Sequence, residues 1–161
     1  MHVFGHNILF FALLSANFGV AAFAGWKGDG AVRWAALVQL CTSVDGLLAS
    51  TLGGDWNQTL ELGAGLVSAA IYLLLAVRFA NLWIGGAMLL QAAEFSLASF
   101  YLVTDRPLDH LHAWINNTCE WGIVLSILIG AVLSINRRKT VAREAAELET
   151  LRQLRAAQAA A

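Results

Sequence analysis

The sequence predicts an all-α integral membrane protein: a five-transmembrane-helix bundle with its N-terminus outside and an amphipathic cytoplasmic helix at its C-terminus. Three observations carry this. Of 161 residues, 58 % are hydrophobic and 13 % charged, where a soluble domain is about half apolar and a quarter charged. Apolar runs long enough to cross a bilayer follow one another along the chain, separated by short turn-like breaks. Laid out as five spans, every Lys and Arg except Arg106 falls on one side. Fourteen glycines and a single proline also suit helices packed closely in lipid.

The first span is expected over Asn7–Trp26. Ala22-Phe23-Ala24 resembles a signal-peptide cleavage site, but no Lys or Arg precedes the apolar run, so the segment is read as a retained helix. Trp26-Lys27-Gly28-Asp29-Gly30 is a turn, and the second span covers Ala31–Ser50. Leu52-Gly53-Gly54-Asp55-Trp56-Asn57-Gln58 makes the next connection. The apolar stretch from Leu62 to Val103 would be about 63 Å long as one helix, twice the hydrocarbon thickness of about 30 Å. It must fold back near Arg78-Phe79-Ala80-Asn81, giving spans at Thr59–Val77 and Leu82–Val103. The fifth span is Ala113–Asn136. The apolar runs do not alternate with period two, so a barrel is not expected.

Two units follow: a transmembrane domain over 1–136 and a helical tail over 137–161. The basic side is expected to be cytoplasmic by the positive-inside rule, which places the protein in a bacterial inner membrane. In the tail, Arg137, Arg138 and Lys139 would meet anionic headgroups. Leu148, Leu151 and Leu154 form an apolar stripe for the membrane surface or a partner. The lipid bilayer is the expected environment, with a second copy or another subunit of a membrane complex as partner. A net charge of −1 gives no basis for nucleic-acid binding. Cys41 and Cys119 are expected as buried thiols, and Trp26, Trp56, Trp83, Trp114 and Trp121 as interfacial anchors.

The chemistry lies in four acids in or at the ends of the spans: Asp45, Glu61, Glu94 and Glu120. The topology puts all four in the outer half. Helical spacing adds Gln91 to the face of Glu94, and Asn116 and Asn117 to that of Glu120. Intramembrane carboxylates face a bundle interior or a wet cavity. With no Lys or Arg at their depth they must take up protons, bind a cation or be reached by water. A proton- or cation-handling layer open to the outside is the first expectation. An assembly subunit with the acids as interhelical clasps is the second, and a lesion-forming, holin-like protein the third. His2, His6, His110 and His112, with Asp109, gather on the outer side as a weak candidate for a metal. No nucleophile–base pair or phosphate loop is present, so neither an enzyme nor a cofactor is expected.

Overall fold

The computed structural model describes the backbone of residues 3–52, 56–107 and 109–160 and the side chains of residues 11–48, 62–107 and 109–158. His2 and the side chains of His6 and Glu61 therefore lie outside the described residues. The described chain is helical, with α1 over Val3–Lys27, α2 over Gly30–Leu52, α3 over Trp56–Phe79, α4 over Leu82–Val103 and α5 over His110–Ala160. Helices adjacent in the chain pack on one another, and α5 closes the ring against α1 while also touching α2. Three of these helices, α3, α4 and α5, are long and apolar enough to cross a membrane.

Each turn has a local cause. Asp29 caps α2, its side chain accepting from Val32 N at 3.0 Å. Adding a Cβ to Gly28 would drive it into Ala24 and Val32, so only glycine fits this bend. At the end of α3, Ala80 takes φ 48° and its N–H closes a bond of 2.9 Å to Ala76 O, an αL cap formed without glycine. At the end of α4, Asp105 also takes φ 48°, with Asp105 N donating to Leu102 O and Arg106 N to Tyr101 O. That is a Schellman motif, and Pro107 follows it where the helix cannot continue.

The interior divides lengthwise. Towards the basic end it is dry and made of small and branched residues, with Val32, Ala35, Ile84, Ala87, Ile123 and Ala131 wholly buried. Here α4 and α5 approach across glycines. The Trp83 ring covers Gly130, where a Cβ would come within 2.6 Å of it, and Leu90 covers Gly122 in the same way. Trp83, expected only as an interfacial anchor, is thus also a packing residue against the core. Trp26 and Trp114 do project outward, at 75 % and 70 % exposure. The outer surface of the bundle is apolar: Leu66, Leu74, Val77, Leu89 and Leu125 are all more than half exposed. Cys119 is buried as expected, but Cys41 is exposed, because its helix turns Val38 and Gln39 inward instead.

The helix of the fifth span continues past Asn136 into the helical tail. α5 runs unbroken for 51 residues, about 77 Å. Arg138 is tied back to the bundle, donating from Nη2 to Gly28 O at 2.9 Å. Beyond it, Val141, Leu148, Leu151 and Leu154 are all more than half exposed. Glu149 and Arg152 pair at 3.8 Å between two exposed side chains, which adds little stability.

Two outcomes test this packing. Ala80→Gly should raise the melting temperature in detergent, since glycine relieves a left-handed strain of about 1–2 kcal/mol at some cost in chain entropy. Gly130→Leu should lower it by the equivalent of about 1–3 kcal/mol of overpacking, and Trp83→Ala in the same chain should recover part of the loss.

Candidate functional site

The polar half of the bundle holds a partly enclosed cavity of about 240 Å³, to which all five helices contribute. Three of the four acids singled out in the sequence, Asp45, Glu94 and Glu120, line it together with Gln91, Asn116, Asn117 and His112. Asp109 and His110 are exposed and are not among the lining residues, although Asp109 bonds two of them, Tyr101 and His112.

Helical spacing explains the α4 contribution. Gln91, Glu94, Ala98 and Tyr101 follow at intervals of three and four, on one face with Ala87. Ala87, Gln91, Glu94 and Tyr101 are all buried. Gln91 Nε2 donates to Glu94 Oε2 at 3.1 Å. Gln91 Oε1 is buried and accepts no hydrogen bond from the described residues.

The partners of Glu120 come from elsewhere. Gln39 Nε2 of α2 donates to Glu120 Oε2 at 2.6 Å, and the Asn17 side chain of α1 lines the same cavity. Tyr72 of α3, wholly buried, lies 3.2 Å from both Gln39 Oε1 and Ala35 O. Its single proton is shared between those two acceptors. The orientation of the Gln39 amide is fixed by this arrangement: its oxygen accepts from Tyr72 and its nitrogen donates to Glu120. A further link between α2 and α3 joins Thr42 and Ser68 at 3.0 Å.

Gln39 and Asn17 were not among the sequence-derived site residues. Each is an isolated amide inside an apolar run, and buried polar groups demand partners. That isolation is the signal by which they are found.

The charge balance is one-sided. Three carboxylates line the cavity, and among the described lining residues there is no Lys or Arg. Among the described residues, no group of three or more His, Cys, Asp and Glu converges as a metal site. The expected His110–His112–Asp109 group is organised differently. Asp109 Oδ1 accepts from His112 N at 2.9 Å, capping α5, and from Tyr101 Oη at 2.7 Å. The Tyr101 and His112 rings meet edge-on at 4.8 Å. Asp109 is therefore a clasp joining the end of α4 to the start of α5.

Comparison with protein-family models, with curated proteins and with solved structures finds no match to this chain.

Hydrogen bonds from the His112 amide and then from Tyr101 hold the Asp109 carboxyl below its ordinary range. A depressed folded-state value means that the clasp contributes in full above about pH 4, the unfolded range. The contribution is lost as the pH falls below that, through the folded value. Protection of the His112 amide, relative to its intrinsic exchange rate, should fall on acidification over that window, and Asp109→Asn should remove the dependence.

Proposed function

We propose that the protein crosses a bacterial inner membrane five times, N-terminus outside, and takes up protons or cations at an acidic cavity in the outer half of the bundle. One observation carries the functional part: Glu94 and Glu120 face a common cavity, and its described lining residues include no Lys or Arg. Such groups favour uptake of positive charge by Coulomb attraction in a medium of low dielectric.

The membrane part rests on inversion of the usual order. Gln39, Gln91, Glu94 and Asn17 are buried while leucines and valines cover the outside. That is the arrangement expected where lipid, not water, is the solvent. α1 and α2 are read as spans on their length, their apolar content and their place in the ring of helices. Orientation rests on charge, since Lys27, Arg33, Arg78 and the Arg137–Arg138–Lys139 group all lie towards the end opposite the cavity. The dry core beneath the cavity favours uptake or sensing over a continuously open pore. No catalytic step is part of this reading.

A second reading, an accessory subunit of a membrane complex, is favoured by the bare stripe of Leu148, Leu151 and Leu154 on α5. A second copy of the chain would also suit that stripe. Exchanging residues 140–161 for an unrelated soluble helix should abolish the role of an accessory subunit and leave charge uptake intact.

The topology predicts that, in a chain lacking Cys41 and Cys119, Thr104→Cys reacts with an impermeant thiol reagent on intact cells and Gly30→Cys does not. The reverse pattern would overturn the orientation. Charge uptake is measured on purified protein by titrating the carboxylic C=O band in the infrared between about pH 5 and 8, with and without sodium. Glu94→Gln should delete part of a pH- or sodium-dependent band. An unchanging spectrum in both the parent and the variant would exclude the acidic cavity as a site of exchange.

A further inference from the structure

We infer that the groove between the α1–α2 turn and α5 seats one lipid of the inner leaflet, a phospholipid whose headgroup carries both a phosphate and a primary ammonium. The inference rests on the membrane reading proposed above and is independent of charge uptake at the acidic cavity.

The groove has a volume of about 410 Å³, within the range of small-molecule clefts. Asp29 lines it from the turn, and Arg137 and Arg138 line it from α5. These opposite charges share one space without meeting. Asp29 Oδ1 accepts from Val32 N at 3.0 Å, and Arg138 Nη2 donates to Gly28 O at 2.9 Å. Among the described residues, no ion pair joins either arginine to Asp29 or to another carboxylate. The Gly28 bond holds the Arg138 guanidinium beside the turn that carries Asp29, with most of its donors uncommitted.

A molecule with both signs of charge answers both sides of such a groove. The guanidinium fork matches phosphate oxygens, and a primary ammonium supplies the donors that the second Asp29 oxygen accepts. A headgroup with a phosphate and no cation would leave Asp29 facing like charge. A trimethylated ammonium has no N–H to give it.

Position points to a lipid as the source. Trp26 projects at 75 % exposure with Lys27 Nζ 4.3 Å from its ring centroid, and this pair, typical of headgroup level, immediately precedes Gly28. Ile129 and Leu133 stand on the stripe of α5 that ends at Arg137, and they are 46 % and 53 % exposed. That stripe gives an acyl chain a surface to follow from a headgroup at Arg137. A soluble phosphate compound makes no dispersion contacts there.

The test uses the full-length protein in mild detergent with phosphatidylethanolamine, phosphatidylcholine and phosphatidylglycerol of identical acyl chains, and with glycerophosphoethanolamine, the headgroup without chains. Native mass spectrometry and melting temperature are the readouts. Phosphatidylethanolamine should bind saturably and raise the melting temperature, with the other two lipids about tenfold weaker and the chainless headgroup weaker still. Asp29→Asn removes the charge and keeps the cap, since Asn caps a helix as well as Asp. It should weaken phosphatidylethanolamine about tenfold and abolish the preference over phosphatidylglycerol. Arg137→Gln should weaken both about tenfold.

Equal binding of the three lipids to the parent chain, or tighter binding of phosphatidylglycerol, would overturn the inference. So would parent affinity retained in Asp29→Asn or Arg137→Gln. A chainless headgroup bound as tightly as the lipid would overturn the lipid as occupant. Whether the chain expressed in cells stays with the membranes after an alkaline wash tests the membrane reading separately. A chain that is washed off overturns both; a chain that is retained but shows no headgroup preference overturns this inference alone.

Discussion

A carboxylate removed from water must bring its hydrogen-bond partners with it, and in this bundle the partners of Glu120 come from other helices. Gln39 reaches it from α2, and Tyr72 of α3 secures the far side of Gln39. One connected set of polar groups therefore joins three helices at a single level. Shifting any of them by one residue would turn its polar side chain about 100° away and leave several buried groups without partners, each at a cost of about 1–3 kcal/mol. Apolar packing alone discriminates less sharply between registers, because one leucine replaces another at small cost. The network thus supplies the register, and the dry core of Val32, Ala35, Ile123 and Ala131 follows from it.

The two halves of the bundle solve different problems. The basic half brings backbones close, with Gly122 and Gly130 admitting Leu90 and Trp83 between α4 and α5. Dispersion at close approach is its main source of cohesion. The acidic half cannot close in this way, because carboxylates crowded together without counter-charges repel one another. It stays open around a cavity and is held at its rim by the Tyr101–Asp109 bond and the cap on α5. Rigidity on one side and space on the other come from residue size and charge distributed unevenly along the same five helices.

Features set by neighbours in the chain were legible in the sequence. The breaks between helices, the fold-back at Ala80 and the common face of Gln91, Glu94, Ala98 and Tyr101 all depend on residues within a few positions of each other. Features set by pairing across the bundle were not. Gln39 and Glu120 stand 81 positions apart, and nothing local marks them as partners; only the anomaly of an amide in an apolar run gives Gln39 and Asn17 away. Asp109 shows a different kind of ambiguity. A histidine three residues after an aspartate fits a weak metal site and a helix cap equally well on spacing, and the backbone geometry favours the cap. The continuation of α5 into the tail was legible for a local reason too. The change in composition at Arg137 alters what surrounds the helix without supplying a glycine or proline to stop it.

The continuity of α5 has a mechanical consequence. Arg138 fastens the helix to Gly28 at a point lying between Glu120 and Leu154. At 1.5 Å per residue the two arms measure about 27 Å and about 24 Å. The arm towards Glu120 is clamped along its length by α4, α1 and α2, whereas the arm towards Leu154 is exposed. Arg138 thus marks the point at which one continuous rod passes from held to free.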